Sequence, residues 1–297
     1  MKNHSIILVH IGDKFYDYIN DCVEQIRKFN NCRLFLISNN IHKNKVNHDL
    51  LEFVSIEELE KSGGHKLFEL NKKYDISFRD GFNKSVTERF FLIEELVDKF
   101  SLENIFHIEN DILLFFQIEN LIGVFESEYD FASVFDNDNR CIPSFVYFKN
   151  LDSVKKLCKF INLSNQTNDM RLLSDYRYVV KNCPNLPIIP ESFEYPLVSK
   201  TGLTTRNPRA YSNNFKLFDS IFDAACIGQY LGGVDSRNTS GNTIGFINES
   251  SILNPSFFKY RFINDTEGRK IPYIEHKGEY IKINNLHIHS KELKKHM

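Results

Sequence analysis

The chain has no tryptophan, so any platform for stacking a sugar must come from its 13 tyrosines and 27 phenylalanines, most of which the core must claim. Neither sign of charge dominates. With 37 Lys+Arg against 39 Asp+Glu the formal net charge is −2, which gives no support for wholesale binding of nucleic acid or anionic membrane. The apolar run that opens the chain, SIILVHIG, stops at Gly12 and Asp13. It is too short for a membrane span and lacks a small-residue cleavage site, so it reads as a first strand. The six cysteines (Cys22, Cys32, Cys141, Cys158, Cys183 and Cys226) include no CxxC pair and no zinc-finger spacing, and read as reduced core thiols. The expected location is the cytoplasm, or the host cytoplasm if the AT-rich coding bias reflects a large virus and not a bacterium. P-loop, dinucleotide GxGxxG and GxSxG signatures are absent, which argues against three common enzyme classes. There is no internal repeat and no linker.

What is present is ordinary for a globular protein, with 42% hydrophobic and 26% charged residues. Residues 5–11 form an apolar strand. A helix-period segment follows, with Phe15, Tyr18, Ile19, Cys22, Val23, Ile26 and Phe29 on one face, and then the strand RLFLIS at 33–38. Strand, helix, strand at this spacing predicts a βαβ unit with parallel strands. LEFVS predicts a third strand, leading into a capping box at Ser55 and Glu58. A second box at Ser85 and Glu88 predicts the start of a helix over 86–100. Further strands are expected at about 130–135 and 142–148, helices near 150–162, 169–182 and 220–231, a Pro- and Asn-rich loop over 183–215, and a closing strand around 279–289.

FHIENDILLF, residues 106–115, sets two carboxylates inside a strand-like run. Buried carboxylates need a partner, a metal ion or a chain end that returns them to water. At the end of a strand in an open α/β sheet, Glu109, Asn110 and Asp111 would face the crevice where ligands bind. They could hold a divalent cation and through it a diphosphate, or they could cap a helix or pair with Lys or Arg. A second cluster, NNLHIHSK at 284–291, places His287 and His289 two apart with Lys291 beyond. On a strand both rings share a face. They too could complete a metal–diphosphate site, or could serve the core. The literal Asp136-Asn137-Asp138 reads as a polar turn and is the second-ranked metal site. Asp223 begins a helix and Gly232-Gly233 end it, which is a cap at each end or, for Asp223, a place beside a reaction centre.

Taken as an ordered set, the βαβ unit, the helix carrying Thr87-Glu88-Arg89-Phe90-Phe91, the strand ending in Glu-Asn-Asp and the C-terminal LHIHSK resemble the GT-A superfamily of nucleotide-sugar-dependent glycosyltransferases. The resemblance spans roughly residues 5–291. It implies an α/β fold, a GT-A-like (Rossmann-like) open mixed sheet flanked by helices in a single domain over 1–297. A nucleotide-sugar half would run to about residue 150 and an acceptor half over about 151–297. It also implies a metal-dependent transferase of the hexosyl or N-acetylhexosaminyl class. Mn²⁺ or Mg²⁺ would sit on the diphosphate of a UDP-sugar, and the acceptor would be a glycan or glycoprotein hydroxyl. Carried over residue by residue, Asp111 would be the principal metal ligand with His289 or His287. Glu109, standing where the family has the first Asp of D-x-D, would contact ribose or donor sugar. Asn110, Arg89 and Lys291 would attend the nucleotide and diphosphate. Asp223, or alternatively Asp235, would serve the acceptor hydroxyl. The rival readings are a metal-dependent phosphoesterase or nucleotide hydrolase, and a non-catalytic nucleotide-sugar-binding module.

Overall fold

A computed structural model describes residues 4–46, 49–190, 207–235, 237 and 243–297. Its centre is a six-stranded sheet with helices around it. β1 (Ser5–His10), β2 (Arg33–Ser38), β3 (Leu51–Ser55) and β4 (Ile105–Ile108) run parallel, while β6 (Phe131–Asn137) and β7 (Arg140–Phe148) form an antiparallel hairpin joined to β4. The order β3-β2-β1-β4-β7-β6 makes this an open mixed sheet. β1, β2 and β4 read as nearly continuous apolar runs because both faces of a parallel sheet are covered.

The helices are α1 (Tyr18–Phe29), α2 (Gly63–Leu70), α3 (Phe82–Phe100), α4 (Ile118–Glu128), α5 (Leu151–Leu163), α6 (Asp169–Tyr176), α7 (Phe215–Phe218) and α8 (Cys226–Gly232). Several expectations shift. α3 starts ahead of Ser85, because Gly81 at φ 77 supplies the left-handed residue that lets the chain turn into the helix; Ser85 lies inside it. Ser55 does cap, but only a 3₁₀ turn at Ile56–Glu58. The helix expected over 169–182 stops at Tyr176, and that expected over 220–231 is a short strand, β8 (Ser220–Ile221), followed by α8. Residues 191–206 of the 183–215 loop lie outside the described residues.

The closing strand is two strands in different sheets. β11 (Glu279–Ile283) joins β8, β10 (Lys270–His276) and β9 (Lys259–Asn264), the last two unanticipated. β12 (Asn285–His287) leaves that sheet and pairs antiparallel with β5 (Ile112–Leu114), setting His287 opposite Ile112. The FHIENDILLF run is therefore parts of two strands, and the triplet at 109–111 is the break between β4 and β5.

The core below that break is aromatic. Phe106 is fully buried and meets Phe125, Phe145 and Tyr147 at ring-centroid distances of 5.1, 5.8 and 5.0 Å. Phe106→Ala should cost about 3–5 kcal/mol by emptying this cluster. The exposed Ile76→Ala, a control at 74% exposure, should stay within about 0.5 kcal/mol. Urea denaturation of both variants reads the difference.

Candidate functional site

β1 and β4 are neighbours in the sheet, but the chain passes from β1 outward to β2 on one side before β4 adds on the other. In open α/β sheets the crevice beyond the carboxyl ends of two such strands is where ligands bind. Glu109, Asn110 and Asp111 stand at that point. Asn110 bridges it, donating from Nδ2 to the Val9 carbonyl at 2.9 Å, while its own Oδ1 is buried without a partner.

Asp111 is buried and its Oδ2 receives two cations. His287 Nε2 lies at 3.0 Å, and Lys291 Nζ contacts the same oxygen. Glu109 Oε2 is 4.0 Å from His287 Nε2, so one oxygen of each carboxylate and the imidazole nitrogen converge within 4.8 Å. Glu109 Oε1 accepts from Arg89 at 2.5 Å, and the buried Arg89 donates also to Asp169 at 2.9 Å. Asp169, the first residue of α6, carries no sequence signal for this role. Its contact depends on the packing of α6 beside α3.

The geometry separates the two histidines. His287 is on Asp111, whereas His289 Nδ1 accepts the backbone N–H of Asp235 at 2.9 Å. Burial, together with His287 and Lys291 nearby, lowers the His289 pKa to about 4. Burial opposes charge on His287, but Asp111 and then Glu109 hold it above its usual value. Burial also works to raise Asp111; His287 and Lys291 outweigh it and keep the carboxyl well below the usual range.

The acceptor-side carboxylates sit differently. Asp223 is fully buried, and its two oxygens accept N–H groups from Ile227 at 2.9 Å, Gly228 at 2.8 Å and His287 at 3.0 Å. Burial raises its pKa and these donors oppose the rise. The carboxylate staples the start of α8 to β12, which occupies the oxygens a general base would need. Asp235 is more open, but the Arg237 guanidinium beside it draws its pKa down to about 2, which makes it a weak base. Arg237 and Lys291 lie near the Tyr16 and Tyr18 rings, which stack at 5.5 Å. The sequence did not single out Arg237. Asp136 and Asp138 are taken up by structure: Asp136 is buried against Arg140, and Asp138 accepts from the Tyr211 hydroxyl at 2.7 Å.

The donor set tests whether a divalent ion fits. Two carboxylate oxygens and one imidazole suit Mn²⁺ better than Mg²⁺, which prefers oxygen alone. The Lys291 ammonium holds the Asp111 oxygen that such an ion would need and would have to yield it. His287 Nδ1 is buried with no hydrogen-bond partner, so the outer support usual for a metal-bound histidine is missing.

No protein-family model matches the sequence, and no curated protein matches it. Among solved structures the chain is similar to the galactosyltransferase LgtC in complex with donor and acceptor sugar analogs, with a TM-score of 0.43 and 10% identity over 62% of this chain and 73% of that one. An active-site mutant of LgtC gives a TM-score of 0.45 and 11% identity, covering 70% of this chain and 83% of that one. Mouse xyloside xylosyltransferase 1 in its apo form gives 0.40 and 9%, covering 57% and 77%. These likenesses are coarse. The chemistry of the site rests on its own residues. No helix among the described residues is long and apolar enough to cross a membrane.

Two predictions follow from how His287 is held. A Cβ on Gly228 would lie 2.1 Å from the His287 carbonyl oxygen and 2.6 Å from its carbon, so only glycine lets α8 lie on β12. Gly228→Ala should cost about 1–3 kcal/mol and displace β12, read by chemical denaturation and by the His287 imidazole NMR signal. The second concerns pH in metal-free buffer. His287 titrates above its unfolded 6.5. Its pairing with Asp111 therefore contributes fully below pH 6.5 and fades as pH rises through the raised value. The stability advantage of the wild type over His287→Gln should shrink over that range. An advantage that grew with pH would contradict the pairing.

Proposed function

We propose that the protein is a glycosyltransferase that moves a sugar from a nucleotide diphosphate donor, a UDP-sugar, to a hydroxyl of a glycan or glycoprotein. The observation that carries this reading is the convergence of Glu109, Asp111 and His287 where β1 and β4 part, with Lys291 and Arg237 close by. A diphosphate needs cations, and a sheet of this topology offers its crevice at that place. Asp111 and His287 would hold Mn²⁺ or Mg²⁺, with Glu109 as the third ligand or turned to ribose. The ion would supply Lewis-acid neutralisation of the departing diphosphate.

The chain's own residues do the rest. Arg89 bridges Glu109 and Asp169 and fixes the Glu109 carboxylate. Lys291, released from Asp111, would bind a diphosphate oxygen, and Asn110 ties the triplet to β1. Asp235, poorly basic beside Arg237, suits orienting a sugar hydroxyl better than deprotonating one. Asp223 acts through His287 by position. On this reading the half to about residue 150 would bind the donor and the half after it the acceptor, with β12 and Lys291 reaching across to the donor site. A two-metal phosphoesterase would need two ions about 3.5–4 Å apart. The three donor groups gathered here suffice for one, which favours the transferase over the hydrolase.

Thermal unfolding with UDP, with and without Mn²⁺, tests the reading. UDP at about 100 times its dissociation constant should stabilise the protein by roughly 2.7 kcal/mol when Mn²⁺ is present. Asp111→Asn should abolish that gain. If UDP and Mn²⁺ leave the wild type unshifted, the nucleotide-sugar reading fails.

A further inference from the structure

A second group of ligating side chains lies outside the site at Asp111. Ser62 caps α2, its hydroxyl accepting the His65 N–H at 3.1 Å, and this fixes the helix that carries His65 and Glu69 four residues apart on one face. α3 brings Glu88 and Glu95, two turns apart, to the same place. The His65 ring is fully buried and stacks on Phe91 at 5.5 Å. Its Nδ1 faces Glu95 Oε1 at 2.8 Å, and its Nε2 faces Glu88 Oε1 at 3.2 Å. The Glu95 oxygen also accepts the Ser62 N–H at 2.9 Å. Glu69 holds Lys61 at 2.5 Å.

We infer that His65 Nε2, Glu69 and Glu88 form a binding site for a divalent transition-metal ion of the zinc class. Four observations carry this. One nitrogen and two carboxylate oxygens converge within 4.8 Å. Ligands at zinc bond lengths span a tetrahedral edge of about 3.3 Å, and His65 Nε2 and Glu88 Oε1 stand 3.2 Å apart. The other ring nitrogen points at a buried carboxylate, the outer arrangement that turns Nε2 toward a metal; His287 has no such partner. Finally, Glu95 is more than nine-tenths buried and its Oε2 has no hydrogen-bond partner. Three carboxylates face the Lys61 and Lys84 ammoniums, so the group is net negative when the ring is neutral, the form that ligates.

Such an ion takes one imidazole and two carboxylates and leaves a fourth position to water, since Glu69 is open to solvent. It clamps α2 to α3 one residue before Arg89, the side chain that fixes Glu109. The site does not depend on the glycosyltransferase reading.

Wild type and Asp111→Asn, stripped with a chelator, are titrated with Zn²⁺ alone, and bound metal is counted by equilibrium dialysis. Asp111→Asn should still bind one Zn²⁺ per chain, with protons released on binding. His65→Gln should lose that equivalent. Glu69→Gln, whose side chain is partly exposed and whose fold is checked by circular dichroism, should lose most of it. Glu95→Gln should weaken binding by about 10–100-fold. Zinc uptake unchanged in Glu69→Gln and His65→Gln overturns the site, as does an Asp111→Asn protein that binds no zinc; the cluster is then an ion pair only.

Discussion

A carboxylate buried in an apolar sheet must be answered by charge, and at Asp111 the answer comes from 176 and 180 residues further along the chain. The ring of His287 and the ammonium of Lys291 outweigh burial and keep the group ionised. Removing both partners would leave an unpaired desolvated charge, the costly case for a buried ion pair. Much of the second half of the fold serves this one meeting. β12 must reach β5, α8 must lie on β12 closely enough to exclude any side chain at Gly228, and Asp223 must hold α8 to β12. Ala225 takes the left-handed conformation at φ 71 at the start of α8, a local strain of about 1–3 kcal/mol that the surrounding packing has to hold.

A second bridge works in the same way. Arg89, on α3, is shared by Glu109 at the carboxyl end of β4 and Asp169 at the start of α6. One guanidinium in a planar fork satisfies two carboxylates from different elements, which a lysine could not do with the same geometry. The two cations reach the triplet from opposite directions along the chain, Arg89 from 20 residues before Glu109 and Lys291 from 180 residues after Asp111.

The parts of this arrangement legible in the sequence are those with a local signature. The apolar runs of β1, β2 and β4 and the amphipathic α1 follow from periodicity, and the Glu-Asn-Asp break follows from the cost of burying carboxylates. Ordered resemblance added the pairing of that triplet with LHIHSK, although not which histidine would arrive. Side-chain spacing alone treats His287 and His289 alike. The choice depends on β12 ending at His287, which places the next ring on the Asp235 backbone. Illegible were the features set by tertiary contact: Asp169 beside Arg89, Arg237 beside Asp235, and the strands at 259–264 and 270–276, which carry exposed and charged residues with little core face. Asp223 shows the other limit. The sequence predicts that it begins a helix; it stands three residues ahead of α8 and accepts N–H groups of its first turn, and the third donor comes from a strand more than sixty residues away.

The long separation between Asp111 and its partners also has a meaning in time. At about 5–20 residues per second, a ribosome needs roughly 10–35 s to go from Asp111 to His287. Throughout that interval the sheet can form, but its central carboxylate has neither counter-charge, and β5 has no strand to pair with. The nascent chain therefore carries an unfinished site with an open strand edge. The same short stretch, β12 to Lys291, both closes the edge of β5 and brings the counter-charges to Asp111.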